Sequence, residues 1–299
     1  MSKKKTIIFV HVPKAAGSTV NWMLLTKYGK RFLECSWIDF DPELSQIRQF
    51  DAATSGARAI CGHFGYGIHE ALTGEMLYAT MLRHPVERIR SYYDYARTTP
   101  AHYLYERIKT EGRTIEEFLD SRMTLEIDNL QVRIFSGENG RFNETPFGEL
   151  APSDLDRAKQ RLQENFALVG LSEEFDGMMA LCKRRFGWWS AFYQNRNVSA
   201  ESTDALALPG ETVKAIRRTQ SADQELYDFA CALFDEAIAG YGENYERDLA
   251  RLRRYNQLYG RYLRSLPYRG YARLLRAGKK LLGVEDPRYP ETGTDVSGD

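Results

Sequence analysis

The 299-residue chain lacks several features that would assign it to a class of protein at once. Its four cysteines, Cys35, Cys61, Cys182 and Cys231, have no short paired spacing, which excludes a zinc knuckle and a CxxC redox motif. We therefore expect free thiols in a reducing compartment. No apolar run reaches the length that a membrane span needs.

A signal peptide and a strong net charge are also lacking. The apolar run at residues 6–10 stops at His11, which is too short for an export signal, so we expect a soluble, cytoplasmic protein. The 41 Lys and Arg residues balance the 41 Asp and Glu residues, so no global field draws the chain towards nucleic acid. We expect no nucleic-acid partner, and any anion site must be local.

Short apolar runs rich in β-branched residues indicate four buried strands, at residues 6–12, 57–61, 76–82 and 166–171. Helical patterns follow three of them, from Ser18 or Thr19 to about Tyr28, in a segment that carries Ser91, and at residues 172–186. Strands that alternate with helices favour a parallel sheet covered on both faces. The sequence therefore predicts an α/β fold.

The remaining segments are mainly helical. We expect one domain over residues 1–240 with a helical insertion at about 101–162, a basic helical extension at 241–283 and a disordered tail at 284–299. The extension interleaves Arg and Lys with Tyr, so it could contact a polyanionic glycan, a membrane surface peripherally or a partner subunit. The favoured alternative is a solvated face paired with acidic surface, and the sequence indicates no oligomeric state.

Residues 11–19, His-Val-Pro-Lys-Ala-Ala-Gly-Ser-Thr, form a small-residue loop between a strand and a helix. Such a loop lets backbone N–H groups approach an anion, and the helix N-terminus adds its positive dipole end. Lys14 precedes Ser18 by four residues, whereas a Walker A lysine immediately precedes its hydroxyl residue. The alternative is an ordinary turn with a surface lysine.

A second basic segment begins where the third predicted strand ends. Arg83 leaves the strand, Pro85 suits the first turn of a helix, and Ser91 lies about two turns along that helix. The guanidinium and the hydroxyl could together bind a second phosphate. The alternative is a solvated basic helix start, and we expect Arg88 and Arg90 to be solvated residues of this kind.

These two segments resemble the 5′-phosphosulfate loop and the 3′-phosphate motif, R-x-P-x-x-R-x-x-S, of carbohydrate sulfotransferases that use 3′-phosphoadenosine 5′-phosphosulfate (PAPS) and are related to heparan sulfate 2-O-sulfotransferase. Residues 128–137 and 166–176 resemble the same family, in the same order. The resemblance implies a P-loop-like parallel sheet that binds one PAPS across its strand ends. The implied nucleotide contacts are Lys14, Ala15, Ala16, Gly17, Ser18 and Thr19 for the phosphosulfate, and Arg83 and Ser91 for the 3′-phosphate. The family loop usually has Gly-Gly or Thr-Gly where this chain has Ala15-Ala16-Gly17.

Sulfuryl transfer to a hydroxyl requires a base and stabilisation of the leaving phosphate oxygen. Lys14 suits the second role, and the single negative charge of the transferred group means that no metal is required. We predict His63, in a Gly-His pair at the end of the second strand, as the base, because its relatives carry a histidine at a similar point and imidazole titrates near neutral pH. A structural histidine is the alternative. His69 and His84 are weaker candidates, and we expect His11 to support the loop and His102 to lie on a helix surface.

The acceptor is predicted to be a carbohydrate or a similar small hydroxyl compound. Arg133 could bind an anionic acceptor, although a structural pairing is equally compatible with its position. Trp188, in an aromatic cluster, could stack on a sugar ring, although core packing is the commoner role of such a cluster. Two other functions stay open, a kinase with a degenerate P-loop and a protein that binds PAPS or its desulfated product without turnover.

Overall fold

The structure, a computed structural model, describes residues 5–35, 44–45, 47–48, 51, 56–188, 193 and 208–264. Its centre is a sheet of five parallel strands in the order β2-β3-β1-β4-β5. The strands are β1 Lys5–His11, β2 Phe32–Cys35, β3 Ala59–Gly62, β4 Glu75–Leu82 and β5 Phe166–Leu171. The predicted α/β class with a parallel sheet is confirmed.

The strands form where continuous apolar runs can be buried on both faces. In β1, Thr6 to Val10 are all buried, and all of β3 is buried, as central parallel strands require. β2 was not predicted, because it has only four residues and includes Glu34. It is an edge strand that pairs only with β3 within the described sheet, so it needs fewer apolar positions.

Helices cover the sheet and build the predicted insertion between β4 and β5. They are α1 Gly17–Tyr28, α2 Pro85–Thr98, α3 Tyr105–Glu111, α4 Ile115–Asp120, α5 Leu130–Ser136, α6 Pro152–Glu164, α7 Phe175–Phe186, α8 Gly210–Thr219, α9 Ser221–Tyr241 and α10 Tyr245–Arg264. Short 3-10 turns lie at Gly29–Arg31, Ile68–Ala71 and Leu125–Ile127.

Two apolar clusters stabilise the fold. The larger surrounds the sheet and includes residues of α1, α5, α7 and α9. The smaller joins α2 to the insertion and to α8, through Ile89, Tyr92, Ile108, Phe118 and Ile216. Because α2 contributes to the smaller cluster, the start of that helix is fixed by residues of the insertion. All four cysteines are free thiols, as predicted.

The strand order creates a crevice between β1 and β4. The chain passes from β1 to β2 and β3 on one side of the sheet and then crosses to β4 on the other side of β1. Open parallel sheets bind ligands at such a switch point, outside the carboxyl ends of the strands. The Lys14 loop, residues 12–16, and the Arg83 loop, residues 83–84, follow the two strands that border this crevice.

The chain divides into two compact units, Met1–Leu252 and Arg253–Asp299. In the second unit the structure describes the end of α10, up to Arg264. The rest of the predicted basic extension and the predicted tail at 284–299 lie outside the described residues. Among the described helices, none combines the length and the apolar character needed to cross a membrane.

Candidate active site

The Lys14 loop has a strained backbone and small side chains. φ is 69° at Lys14 and 59° at Ala16, which is left-handed backbone that costs a residue with a Cβ roughly 1–2 kcal/mol. The loop closes through the Ala15 N–H, which donates to the Val12 carbonyl at 3.1 Å. Turns of this kind point backbone N–H groups towards one concavity, and the N-terminus of α1 adds its uncompensated N–H groups. The loop is therefore suited to bind an anion.

Gly17 is required at the start of α1 by the ring of His11. A Cβ at Gly17 would lie 1.7 Å from Nε2 of His11, so no larger residue fits without moving that ring. His11 therefore supports the loop, as predicted. Burial lowers the pKa of His11 well below its usual value, and the charges of His63 and Lys14 act in the same direction. The ring is thus neutral at physiological pH.

Arg83 contacts the Lys14 loop directly. Its Nη1 donates to the Lys14 carbonyl at 2.9 Å, which joins the two predicted phosphate loops. The side chain of Gln131 clamps the Arg83 backbone, because its Oε1 accepts from the Arg83 N–H at 2.9 Å and its Nε2 donates to the Arg83 carbonyl at 3.0 Å. Arg83 is therefore held at its backbone by Gln131 and at its guanidinium by the Lys14 carbonyl, at the edge of the crevice.

A buried network positions Gln131 in turn. Asp223 accepts from the backbone N–H groups of Gln131 at 3.2 Å and Val132 at 2.9 Å, and lies 3.8 Å from Nε of Arg88. Arg88 and Asp223 are fully buried. The prediction that Arg88 is a solvated surface residue is therefore wrong, because α2 turns it into the protein against α9. The sequence contained no local signal for a partner more than a hundred residues away.

The side chain of Lys14 lies over α2. Its Nζ is 4.1 Å from the centre of the Tyr95 ring, and Ser91, which is half-buried, precedes Tyr95 by one helical turn on the same face. Burial, and then the charge of Arg83, lower the pKa of Lys14 to about 8, while Asp94 and Glu126 oppose the shift. Lys14 thus contacts the Arg83 guanidinium through its carbonyl and covers the helix that carries Ser91, and its ammonium ion is easily deprotonated for a lysine.

His63 follows β3 and is oriented by β1. Its Nδ1–H donates to the His11 carbonyl at 2.9 Å, and the two imidazole rings stack with their centres 4.3 Å apart. The bond to a carbonyl fixes the proton on Nδ1, so the lone pair of the neutral ring lies on Nε2. Burial lowers the pKa of His63, and the bond to His11 partly opposes this shift. The geometry is that of a histidine that can accept a proton.

The other predicted histidines have different surroundings. Nδ1 of His69 is 3.1 Å from the Tyr78 hydroxyl, and the ring of His84 packs edge-on against Tyr227. The prediction of His102 as a helix-surface residue is wrong, because it lies in the turn between α2 and α3 and its ring packs against three tyrosines.

The two residues predicted for the acceptor are bound within the protein. Arg133 is fully buried and donates to backbone carbonyls of the following loop and to Asp128. Trp188 is 1% exposed and its Nε1 donates to the Tyr28 hydroxyl at 2.9 Å. These contacts correspond to the structural alternatives for both residues. Of the aromatic residues next to Trp188 in the sequence, Trp189 and Phe192 lie outside the described residues.

The comparisons with known proteins agree with this geometry. The family model described as galactose-3-O-sulfotransferase matches residues 2–266. Galactose-3-O-sulfotransferase 3 of Bos taurus is 23% identical over 269 residues, covering 84% of this chain and 62% of its own, so the chain spans about 62% of that relative's length. A heparin sulfate O-sulfotransferase of Drosophila melanogaster is 28% identical over 172 residues, 53% of this chain and 48% of that protein.

A solved mouse sulfotransferase complexed with PAP covers 75% of this chain and 67% of its own, at 17% identity and a TM-score of 0.35. The family match extends over most of the chain, from before β1 to the end of α10. It confirms the predicted resemblance to carbohydrate sulfotransferases, and the chain belongs to the galactose-3-O-sulfotransferase family.

Proposed function

We propose that this protein transfers the sulfuryl group of PAPS to a carbohydrate hydroxyl. The carrying observation is that Lys14, Arg83 and His63 follow the three neighbouring strands β1, β4 and β3 at the same edge of the sheet. The names of the relatives, which refer to galactose and heparin sulfate, support a sugar acceptor. A galactose residue is the first acceptor to test.

In this proposal the crevice binds a nucleotide with two separated phosphate groups. The Lys14 loop and the start of α1 would bind the phosphosulfate through backbone N–H groups and the side chains of Lys14, Ser18 and Thr19. Ala15, Ala16 and Gly17 have no bulk that would block this approach. Arg83 and Ser91 would bind the 3′-phosphate, and Arg83 also holds the Lys14 carbonyl. One residue thus couples the two phosphate positions.

The proposed reaction breaks the bond between sulfur and the 5′-phosphate oxygen while the acceptor oxygen bonds to sulfur. Nε2 of His63 takes the proton of the acceptor hydroxyl, since Nδ1 is engaged with the His11 carbonyl. The Lys14 ammonium stabilises the negative charge that develops on the leaving oxygen. The products are a sulfate ester, adenosine 3′,5′-bisphosphate and one proton.

The test is incubation of the protein with PAPS and a panel of glycans, followed by mass spectrometry. We expect one added sulfate on a galactose-terminated glycan, and no product with Lys14→Ala or without PAPS. Tight binding of adenosine 3′,5′-bisphosphate with no sulfated product from any glycan would instead support a binding protein without turnover. Phosphate transfer from Mg-ATP would support the kinase. The cytoplasmic location stays a prediction.

A further inference from the structure

An exposed aromatic surface lies beside Lys14 on the insertion side of the crevice. It consists of Tyr95 on α2 and of His102 and Tyr103 in the turn that follows, and we call it the aromatic ledge. Tyr95 is 42% exposed and Tyr103 is 62% exposed. Nζ of Lys14 lies 4.1 Å from the centre of the Tyr95 ring, so the ledge is next to the Lys14 loop.

The three rings have a fixed arrangement. His102 and Tyr103 stack with ring centres 4.7 Å apart and an interplanar angle of 28°, and the Tyr95 ring meets His102 edge-on at 5.2 Å. Buried Tyr92 supports them from below, since its ring contacts His102 edge-on at 5.6 Å and its hydroxyl lies 3.2 Å from that of Tyr103. Rings oriented by one another and by a buried neighbour lose little freedom when a ligand stacks on them.

A carboxylate lies at the rim of the ledge. Oε1 of Glu126 is 3.2 Å from the Tyr103 hydroxyl, and that hydroxyl is also 2.8 Å from Oγ1 of Thr124. Burial raises the pKa of Glu126, while hydrogen bonds from Tyr92 and Tyr103 and the charges of Arg88 and Lys14 oppose the shift; Glu126 in turn raises the pKa of Lys14. The carboxylate and the ammonium ion are therefore within electrostatic range of each other.

We propose that the aromatic ledge and Glu126 form the subsite for a neutral sugar of the acceptor. The C–H face of a pyranose would stack on Tyr95 and Tyr103, and the Glu126 carboxylate would accept hydrogen bonds from sugar hydroxyls. A carboxylate at the rim disfavours a uronic acid or an already sulfated sugar at this point, through like-charge repulsion. The inference rests on the proposed function, because it places the acceptor beside the lysine that faces the transferred group.

Steady-state kinetics with a neutral galactose-terminated disaccharide tests the subsite. We expect Tyr103→Ala to raise the KM for the disaccharide about tenfold or more, with the affinity for adenosine 3′,5′-bisphosphate unchanged. Tyr103→Phe keeps the ring and should have a smaller effect. Tyr262→Ala, at a tyrosine with the same 62% exposure, is the matched control and should leave both values unchanged.

Glu126→Gln tests the choice of sugar. It keeps the backbone carbonyl that accepts from Arg88, removes the charge and replaces one carboxylate oxygen with an NH2 group. We expect the wild type to prefer the neutral disaccharide over one that ends in a uronic acid, and Glu126→Gln to reduce that preference about tenfold. An unchanged preference in Glu126→Gln would overturn the role of the carboxylate.

Two results would overturn the subsite. One is an unchanged KM in Tyr103→Ala with active enzyme, which would leave the proposed function intact. The other is a loss of nucleotide affinity in Tyr103→Ala and Tyr95→Leu, which would make the ledge a nucleotide contact. If the wild type transferred no sulfate, saturation-transfer NMR of the disaccharide with the nucleotide-loaded protein would still test the subsite. The inference requires sugar signals with the wild type that are clearly weaker with Tyr103→Ala, and equal signals would overturn it.

Discussion

The two loops that meet at the edge of the sheet are stabilised by different parts of the chain. The Lys14 loop depends on its neighbours in sequence, through its own left-handed backbone and the ring of His11 against Gly17. The Arg83 loop depends on Gln131 and, through it, on Asp223, which lie far along the chain. A substitution close to the Lys14 loop in sequence should therefore alter the chemistry at that loop. A substitution far along the chain, as at Asp223, should disturb the Arg83 loop and destabilise the fold as well.

The largest effect is expected at His63, whose ring is oriented by the carbonyl and the ring of His11 at the end of β1. His63→Ala should lower turnover by roughly 10²–10⁴-fold, the usual contribution of a general base. The affinity for adenosine 3′,5′-bisphosphate should stay within about twofold, because no phosphate contact is removed. Turnover at saturating PAPS and calorimetric nucleotide binding measure the two quantities separately.

His69→Ala and His84→Ala are the controls for this experiment. Neither side chain bonds to the Lys14 loop in the contacts described above, and both should keep turnover within a few-fold of the wild type. A collapse of turnover in either control, with His63→Ala nearly unaffected, would move the base. Loss of thermal stability together with activity in His63→Ala would support a structural histidine.

Breaking the network behind the Arg83 loop should destabilise the protein. Asp223→Ala leaves the buried Arg88 charge unpaired and removes the acceptor for two backbone N–H groups at the start of α5. We expect the free energy of unfolding in urea to fall by about 3–5 kcal/mol. Asp228→Ala, an exposed position on the same helix, is the control and should change it by less than about 0.5 kcal/mol. Equal effects at both positions would contradict the network.

The pH dependence of nucleotide binding should report Lys14. Because its pKa is lowered to about 8, Lys14 is protonated below that pH and loses its charge above it in the free protein. Affinity for adenosine 3′,5′-bisphosphate should therefore be highest below pH 8 and fall by up to about tenfold per pH unit above it. Lys14→Arg stays charged and should remove this alkaline decline. An identical decline in both proteins would assign it to another group.

The smallest effect concerns the backbone of the Lys14 loop. Ala16→Gly relieves the cost of a Cβ at positive φ, so we expect a stability gain of roughly 0.5–1 kcal/mol. Ala15→Gly is the matched control, because Ala15 is buried and has no positive φ, and it should destabilise the protein. Urea unfolding compares the two variants, and destabilisation by Ala16→Gly would contradict the assigned strain.

The sequence was sufficient for the parts of the site that are contiguous in the chain. Four strands and the two loops were predictable, because central parallel strands are continuous apolar runs and the loops carry a family pattern. The edge strand β2, the burial of Arg88 and the tyrosines around His102 were not. β2 and Arg88 depend on which distant segment pairs with or covers them, and a pattern of neighbouring residues contains no information about that. The rings around His102 are close in sequence, but they meet because the chain turns between α2 and α3, which a helical pattern does not indicate.

The proposed function depends most directly on two phosphate sites joined by Arg83. Its test is binding of adenosine 3′,5′-bisphosphate, 5′-AMP and Mg-ATP to the wild type and to Arg83→Ala. We predict that the wild type prefers the bisphosphate without Mg²⁺, and that Arg83→Ala loses about 1.5–3 kcal/mol of that binding and most of the preference over 5′-AMP. Undiminished bisphosphate binding by Arg83→Ala, or equal binding of Mg-ATP by the wild type, would contradict it.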